Sequence, residues 1–286
     1  MKRTNILIAI SNIIKDPIVN LISHYRSSNR INNVGEALEF YIKDVFCSSL
    51  NVPELDKKFK IYSEYFSYNG NQNNPPDLII KNGDAFEIKK VEGPRAGLAL
   101  NSSYPKDKLY IDDPMITTAC RNCEDWKEKE VFYIAGVAKD NILKSIWFVH
   151  GCCYAADRET YEKIKKKIKA GIDGMPGIEF SETNELGRVN KVDPLGITYL
   201  RIRGMWGIEN PSKVFEYLNP IQNKDNFIMN AIILKSKYDQ YPAEDRKQLE
   251  GMKSKSLIIN EVDVKDPSNP AKLLKAILIS FIGGGI

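Results

Sequence analysis

Asp77, Glu87 and Lys89 lie in one short stretch, PPDLIIKNGDAFEIKK (75–90), where two apolar runs flank Asn82-Gly83. Two carboxylates and a lysine within a hairpin's length are the residue types that phosphodiester chemistry at a hard cation calls for. Mg²⁺ takes oxygen ligands, keeps several waters, and is usually held by one or two carboxylates plus substrate phosphate. A cation on the scissile phosphate stabilises developing charge and lowers the pKa of a bound water. A neighbouring ammonium can orient that water or help deprotonate it, and can offset the phosphate charge. A half-buried strand that alternates Glu and Lys with Phe and Ile is consistent with such a site.

The chemistry requires all three side chains on one face, and the turn decides that. Asn-Gly between apolar runs signals a β-hairpin. A two-residue turn sets Asp77 opposite Ile88, facing away from Glu87 and Lys89. A three-residue loop, Asn82-Gly83-Asp84, sets Asp77 opposite Lys89 and Ile79 opposite Glu87, which gathers all three. Gly83 is the residue suited to the left-handed position of that loop. The sequence leaves both registers open.

Around this hairpin, residues 4–24 read as a helix broken near Asp16-Pro17, because proline removes a donor and clashes with the preceding turn. His24–Asn33 reads as a polar, basic loop. An amphipathic helix starts at Val34, with Leu38, Tyr41, Ile42, Val45 and Phe46 on one face, Glu39 on its flank and Glu36 opposite. Residues 59–68 alternate like a strand, and 112–126 read as a turn followed by a helix. VFYIAGVA and SIWFVHGCCYA read as buried strands, and Thr160–Ala170 as a helix. In the strand expected over Gly196–Trp206, the period of two puts Arg201 and Arg203 on one side and sends Leu200 and Ile202 into the core. A helix near 224–237, the strand SLIINEVDV and a closing helix from about Pro270 complete the expected elements. The mixture predicts an α/β fold with a mixed central sheet flanked by helices, in a single domain over 1–286. Its catalytic core would span about 34–210, with a C-terminal extension over 211–286.

Pro76-Asp77, nine residues, then Glu87-Ile88-Lys89 resembles the PD-(D/E)xK nuclease motif. Three further segments, SNRINNVGEALEFYIKD, EIKKVEGPRAGLALNSSYPKDKLYIDDPM and NKVDPLGITYLRIRGMWGIENP, are similar to the type II restriction endonucleases of the NgoPII family. The likeness runs from about Ser28 to Pro211 and is weakest after Tyr217. It implies a restriction-endonuclease-like core, Mg²⁺ as cofactor and a homodimer cutting double-stranded DNA at a short palindrome, GGCC. It also implies a cognate DNA methyltransferase protecting the same site. By motif position Asp77 and Glu87 would hold the metal and Lys89 would be the catalytic lysine. Glu39 is the candidate for an added carboxylate from the preceding helix. The alternatives are a structure- or damage-directed nuclease of the same fold and a non-catalytic DNA-binding protein.

Two loop-like segments, SSNRINN and ALNSSYPKDK, combine Asn and Ser with basic residues, the groups that phosphates and base edges accept from. Arg26, just before the first segment, and Arg30, Asn101, Ser102, Ser103, Lys106 and Lys108 within the two are therefore candidate DNA contacts, with Arg201 and Arg203 as candidate base readers. The five lysines of KIKKKIKAG accompany an apolar stripe of Tyr161, Ile164 and Ile168, which reads as a solvated helix face. A charge of +4, from 41 Lys and Arg against 37 Asp and Glu, tolerates nucleic acid without requiring it. Cys120-x-x-Cys123 and Cys152-Cys153 give only one pair with zinc-ligand spacing, so zinc is not expected. Five cysteines, no leader-like N-terminus and no apolar span long enough for a bilayer are consistent with a cytoplasmic protein.

Overall fold

The computed structural model describes residues 2–29, 33–71, 73–181, 183–223 and 225–285. Helices α1 (Ile6–Lys15), α2 (Leu21–Asn29), α3 (Val34–Cys47) and α4 (Leu55–Tyr65) come first. Strands β1 (Phe66–Tyr68), β2 (Leu78–Ile80), β3 (Ala85–Val91), β4 (Leu98–Asn101) and β5 (Lys108–Tyr110) follow, then the short helix α5 (Thr118–Arg121). The long hairpin of β6 (Glu128–Lys139) and β7 (Ile142–His150) precedes α6 (Arg158–Asp173). Short strands β8 (Phe180–Ser181), β9 (Gly187–Val189), β10 (Leu200–Ile202) and β11 (Trp206–Ile208) lead to α7 (Pro211–Val214). The chain finishes with β12 (Asn226–Leu234), α8 (Lys235–Gln240), α9 (Ala243–Glu250), β13 (Leu257–Lys265) and β14 (Leu273–Gly285).

The main sheet runs β1-β2-β3-β6-β7-β12-β14-β13, with β5 added on the first residues of β6. β3 pairs parallel with β6, and β7 with β12, while the remaining pairs are antiparallel, so the sheet is mixed. Helices α1 and α3 cover one face, where Ile10, Leu38, Ile42 and Phe46 pack on Phe86, Ile88, Phe132 and Phe148. A Cβ on Gly136 of β6 would stand 2.6 Å from Leu38 Cδ2, so glycine there lets α3 approach the sheet closely. Because side chains alternate along β3, Phe86 and Ile88 face these helices while Glu87 and Lys89 face the opposite side. Glu87 and Lys89 thereby stay clear of the helix-packed core, and Lys90, on the helix side, pairs with Glu92.

The architecture is the mixed α/β sheet flanked by helices that the pattern predicts, and the break between α1 and α2 falls at Asp16-Pro17. Several elements differ. The stretch from His24 is not a loop at its start: α2 continues to Asn29. Most of 59–68 is helical, because burial recurs at Lys58, Tyr62 and Phe66, every fourth residue, rather than every second. Residues 226–234 and 273–285 are strands, not helices. β12 is buried on both faces between β7 and β14, and a short continuous apolar run suits such a strand as well as a helix. The expected strand over Gly196–Trp206 is broken into β10 and the start of β11, and Leu200 is 54% exposed rather than in the core. Among the described residues no helix is long and apolar enough to cross a membrane.

Candidate active site

The hairpin takes neither register expected from its turn. Leu78 pairs with Phe86 and Ile79 with Ala85, and Ile80 N–H donates to the Asp84 carbonyl, so the loop is Lys81-Asn82-Gly83. The left-handed residue is Asn82 (φ 52°), not Gly83. Asparagine tolerates that region because its short side chain can hydrogen-bond locally. Continued one residue further, this pairing sets Asp77 opposite Glu87, and opposed residues share a face. The tip is anchored by Asp84, which accepts from Lys237 Nζ at 2.5 Å and Tyr241 OH at 3.0 Å.

Asp77, Glu87 and Lys89 thus meet on the face of β3 turned away from α1 and α3, largely buried there. Lys89 Nζ lies 2.7 Å from Glu87 Oε1 and 4.0 Å from Asp77 Oδ2. Ile88 N–H donates to Asp77 Oδ2 at 2.6 Å, which fixes that carboxylate's rotamer. Burial and the Glu87 charge push the Asp77 carboxyl up to about 8, against the pull of Lys89 and the Ile88 N–H. Burial pulls the Lys89 ammonium down, but Glu87 and Asp77 outweigh it and hold the pKa above the usual lysine value. Glu87 Oε2 is buried without a hydrogen-bond partner. An orphaned Glu87 oxygen and an Asp77 carboxyl pushed upward describe a site whose negative charge Lys89 only partly offsets, and a divalent cation would relieve it. The donor set therefore fits a hard divalent ion.

Glu39 lies half-buried on α3 near the trio. Burial raises its carboxyl, Lys43 and Lys89 pull it down, and Glu36 and Glu87 add to the rise. Among the described residues no group of three or more His, Cys, Asp and Glu side chains closes around a metal position. Asp77 and Glu87 alone would leave coordination places for water and phosphate oxygens, the usual habit of Mg²⁺.

The trio lines a cleft of about 530 Å³. Asn101, Ser102 and Ser103 border it where β4 ends, and Asn101 adopts φ 52°. Arg201 and Arg203 border it from the small sheet β10-β9-β8. Neither arginine is free, since both reach Glu185 Oε1, at 3.1 and 2.9 Å. Lys106 and Lys108 are placed elsewhere. The Lys106 side chain is 6% exposed, its ammonium 3.0 Å from Asp113 and 4.3 Å from the Tyr104 ring centre, while Lys108 pairs with Glu128 at 2.6 Å. Arg26 belongs to α2, but its side chain and the whole of Arg30 lie outside the described residues. The lysine-rich α6 has no buried residue: Tyr161 stacks on Tyr104, while Ile164 and Ile168 stay exposed.

Sequence reasoning missed three features of the site. Glu185 gave no local signal, standing in a polar stretch with ordinary spacing. The Asn-rich loop before Pro75 did give one, a polar run directly ahead of the motif. Asn71 Oδ1 accepts from Asn73 N–H and Asn74 N–H, and Asn74 Nδ2 donates to the Met115 carbonyl, so this loop forms a braced wall. Gly70 is the third. It sits at φ +73°, and a Cβ there would lie 2.4 Å from the Asp77 carbonyl oxygen. Gly70→Ala is therefore expected to displace Asp77 and lower cleavage by at least about tenfold, on the rule that ångström-scale misplacement costs about 10² in rate. Single-turnover rates check this, and an unimpaired Gly70→Ala contradicts the contact.

Comparison with known proteins identifies the family. Residues 4–265 match the family model described as NgoPII restriction endonuclease. The chain is 47% identical over 278 residues to the type II restriction enzyme NgoPII of Neisseria gonorrhoeae, covering 97% of this chain and 99% of that protein. No solved structure matches. Matched over most of its length by the family and nearly end to end by that relative, the chain belongs to the NgoPII restriction endonuclease family, the type II restriction enzymes.

Proposed function

We propose that this endonuclease hydrolyses double-stranded DNA at a short GC-rich palindrome, GGCC, with Mg²⁺ held by Asp77 and Glu87. The observation that carries the reading is the convergence of Asp77, Glu87 and Lys89 on one wall of a cleft that Arg201 and Arg203 also line. Asp77, oriented by the Ile88 N–H, and Glu87, with Oε2 unengaged, supply the oxygen donors. When bound there, the cation polarises the scissile phosphate and acidifies a water. Lys89, held as a cation by its two carboxylates, acts as a donor that orients the attacking water and balances phosphate charge. Asn101, Ser102 and Ser103 suit phosphate contact, which sets register on the duplex. Glu39, on α3 within electrostatic reach of Glu87 and Lys89, is a candidate ligand to the same ion or its water. The host would protect its own DNA with a methyltransferase acting on the same sequence.

Digestion of plasmid DNA of known sequence tests the reading. Discrete fragments ending at GGCC, formed with Mg²⁺ and suppressed by EDTA, are expected. Nicking without fixed ends, or cutting only at branched or damaged sites, would favour a structure-directed nuclease instead.

A palindrome cut on both strands needs two active sites related by a two-fold axis, so the working form is a homodimer. Apolar Leu195, Ile197 and Met205, exposed by 82, 75 and 73%, offer surface for such contacts, and Met205 borders the cleft. Sedimentation with a duplex carrying one GGCC is expected to show two subunits per duplex; one subunit per duplex contradicts the proposal.

A further inference from the structure

Glu185 has a feature that neither hydrolysis nor folding requires. Its side chain is only 10% exposed; Oε1 takes both Arg201 Nη2 and Arg203 Nε, while Oε2 is buried with no partner. The backbone around it is fixed, with Glu185 N–H donating to Thr183 Oγ1 at 3.0 Å and Lys165 Nζ to the Asn184 carbonyl at 2.8 Å. A carboxylate oxygen buried without a donor costs the desolvation of a charged group, and a ligand that brings a donor recovers it. Glutamate's terminal torsion is broad, so Oε2 can turn toward the cleft that Glu185 lines while its backbone stays fixed.

The arginines remain able to donate. A guanidinium carries five N–H groups. Arg203 meets Glu185 through Nε and Arg201 through Nη2 as ion pairs, which leaves both terminal nitrogens of Arg203 and the Nη1 and Nε of Arg201 for donation. Both side chains are half exposed, at 50 and 52%. The cluster thus presents two donor forks and one acceptor. The major-groove edge of a G·C pair has the matching set: acceptors N7 and O6 on guanine and the N4 amino donor on cytosine.

We infer that Glu185 is a specificity-determining residue that accepts from the 4-amino group of a cytosine while aligning Arg201 and Arg203 for guanine. Thymine at the same place presents the O4 acceptor to the carboxylate, so the cluster repels A·T pairs as well as attracting G·C. The inference rests on the reading of the cleft as a site for a GC-rich duplex.

The test measures binding, with Ca²⁺ in place of Mg²⁺, to a GGCC duplex in which each cytosine in turn is replaced by 2-pyrimidinone, which lacks only the 4-amino group. Wild type is expected to bind the analogue about 5- to 150-fold more weakly at one or more positions, the range of a good base contact. Glu185→Ala and Glu185→Leu are expected to bind natural and analogue duplexes alike at that position. Variants that penalise the analogue as strongly as wild type, or a wild type indifferent at every position, overturn the inference and leave Glu185 a clamp for the arginines. Wild type that fails to prefer GGCC over random duplex defeats instead the palindrome reading, and this inference with it.

Discussion

Asp77→Ala and Glu87→Ala are each expected to lose cleavage by on the order of a thousandfold or more, since a metal at the phosphate is worth several kcal/mol of barrier. Lys89→Ala is expected to fall comparably while still binding DNA. The fold should survive, because these side chains face the cleft and Phe86 and Ile88 do the packing. Loss should even be mildly stabilising at Asp77. Its carboxyl is raised from 3.8 to about 8, so the folded chain holds a proton that the unfolded chain releases. The stability tied to that proton is full below the unfolded value and lost as pH rises through the interval to about 8. Asp77→Asn never ionises and keeps the acceptor for Ile88 N–H. Without divalent cations its melting temperature should exceed wild type at pH 8, with the gap closing as pH falls. A wild type that melts higher at pH 8, or substantial cutting by the alanine variants, contradicts the assignment.

The largest stability effect is expected behind the site. Asp44 and Lys58 are 0 and 2% exposed and ion-paired, and Asp44 also accepts from Tyr25 OH at 2.8 Å, Tyr62 OH at 2.6 Å and Ser49 Oγ at 2.6 Å. One carboxylate thereby ties α2, α3 and α4 together, and α3 carries Glu39 toward the catalytic strand. Removing one partner strands a charge in the interior, at about 3–5 kcal/mol. Lys58→Ala and Asp44→Ala are each expected to lower the melting temperature by on the order of 10 °C. The apolar double variant Asp44→Leu/Lys58→Met should recover part of that loss, because a buried pair as a whole contributes little net stability. Thermal melts of the two singles and the double decide it. Additive losses would show that the charges do not act as a pair.

The sheet's mixed character and the helix carrying Glu39 were legible because Val34–Cys47 has a clean 3.6-residue period and the break at Asp16-Pro17 is steric. β12 and β14 were not legible. NFIMNAIIL is apolar at nearly every position, and only pairing with β7 distinguishes strand from helix there. The candidate site was legible as residue types at a spacing, but its register was not. Lys81-Asn82-Gly83 closes a loop the Asn-Gly rule does not anticipate, with Asn82 taking the strained position. Ion pairs across turns and loops were invisible in the same way. Nothing local to Lys106 announces Asp113, and nothing near Arg201 and Arg203 announces Glu185, whose carboxylate reaches them across a loop.

The central claim is that the catalytic metal sits between Asp77 and Glu87. Fe²⁺ substituted for Mg²⁺, with ascorbate and peroxide, generates radicals that cut the polypeptide beside the ion, and mass spectrometry of the fragments locates the cuts. Scission is expected next to Asp77 and on β3 around Glu87, competed by excess Mg²⁺ and absent from Glu87→Ala. Scission elsewhere, for example around Asp84 and Glu130 at the far end of the hairpin, or an unchanged pattern in Glu87→Ala, would contradict it.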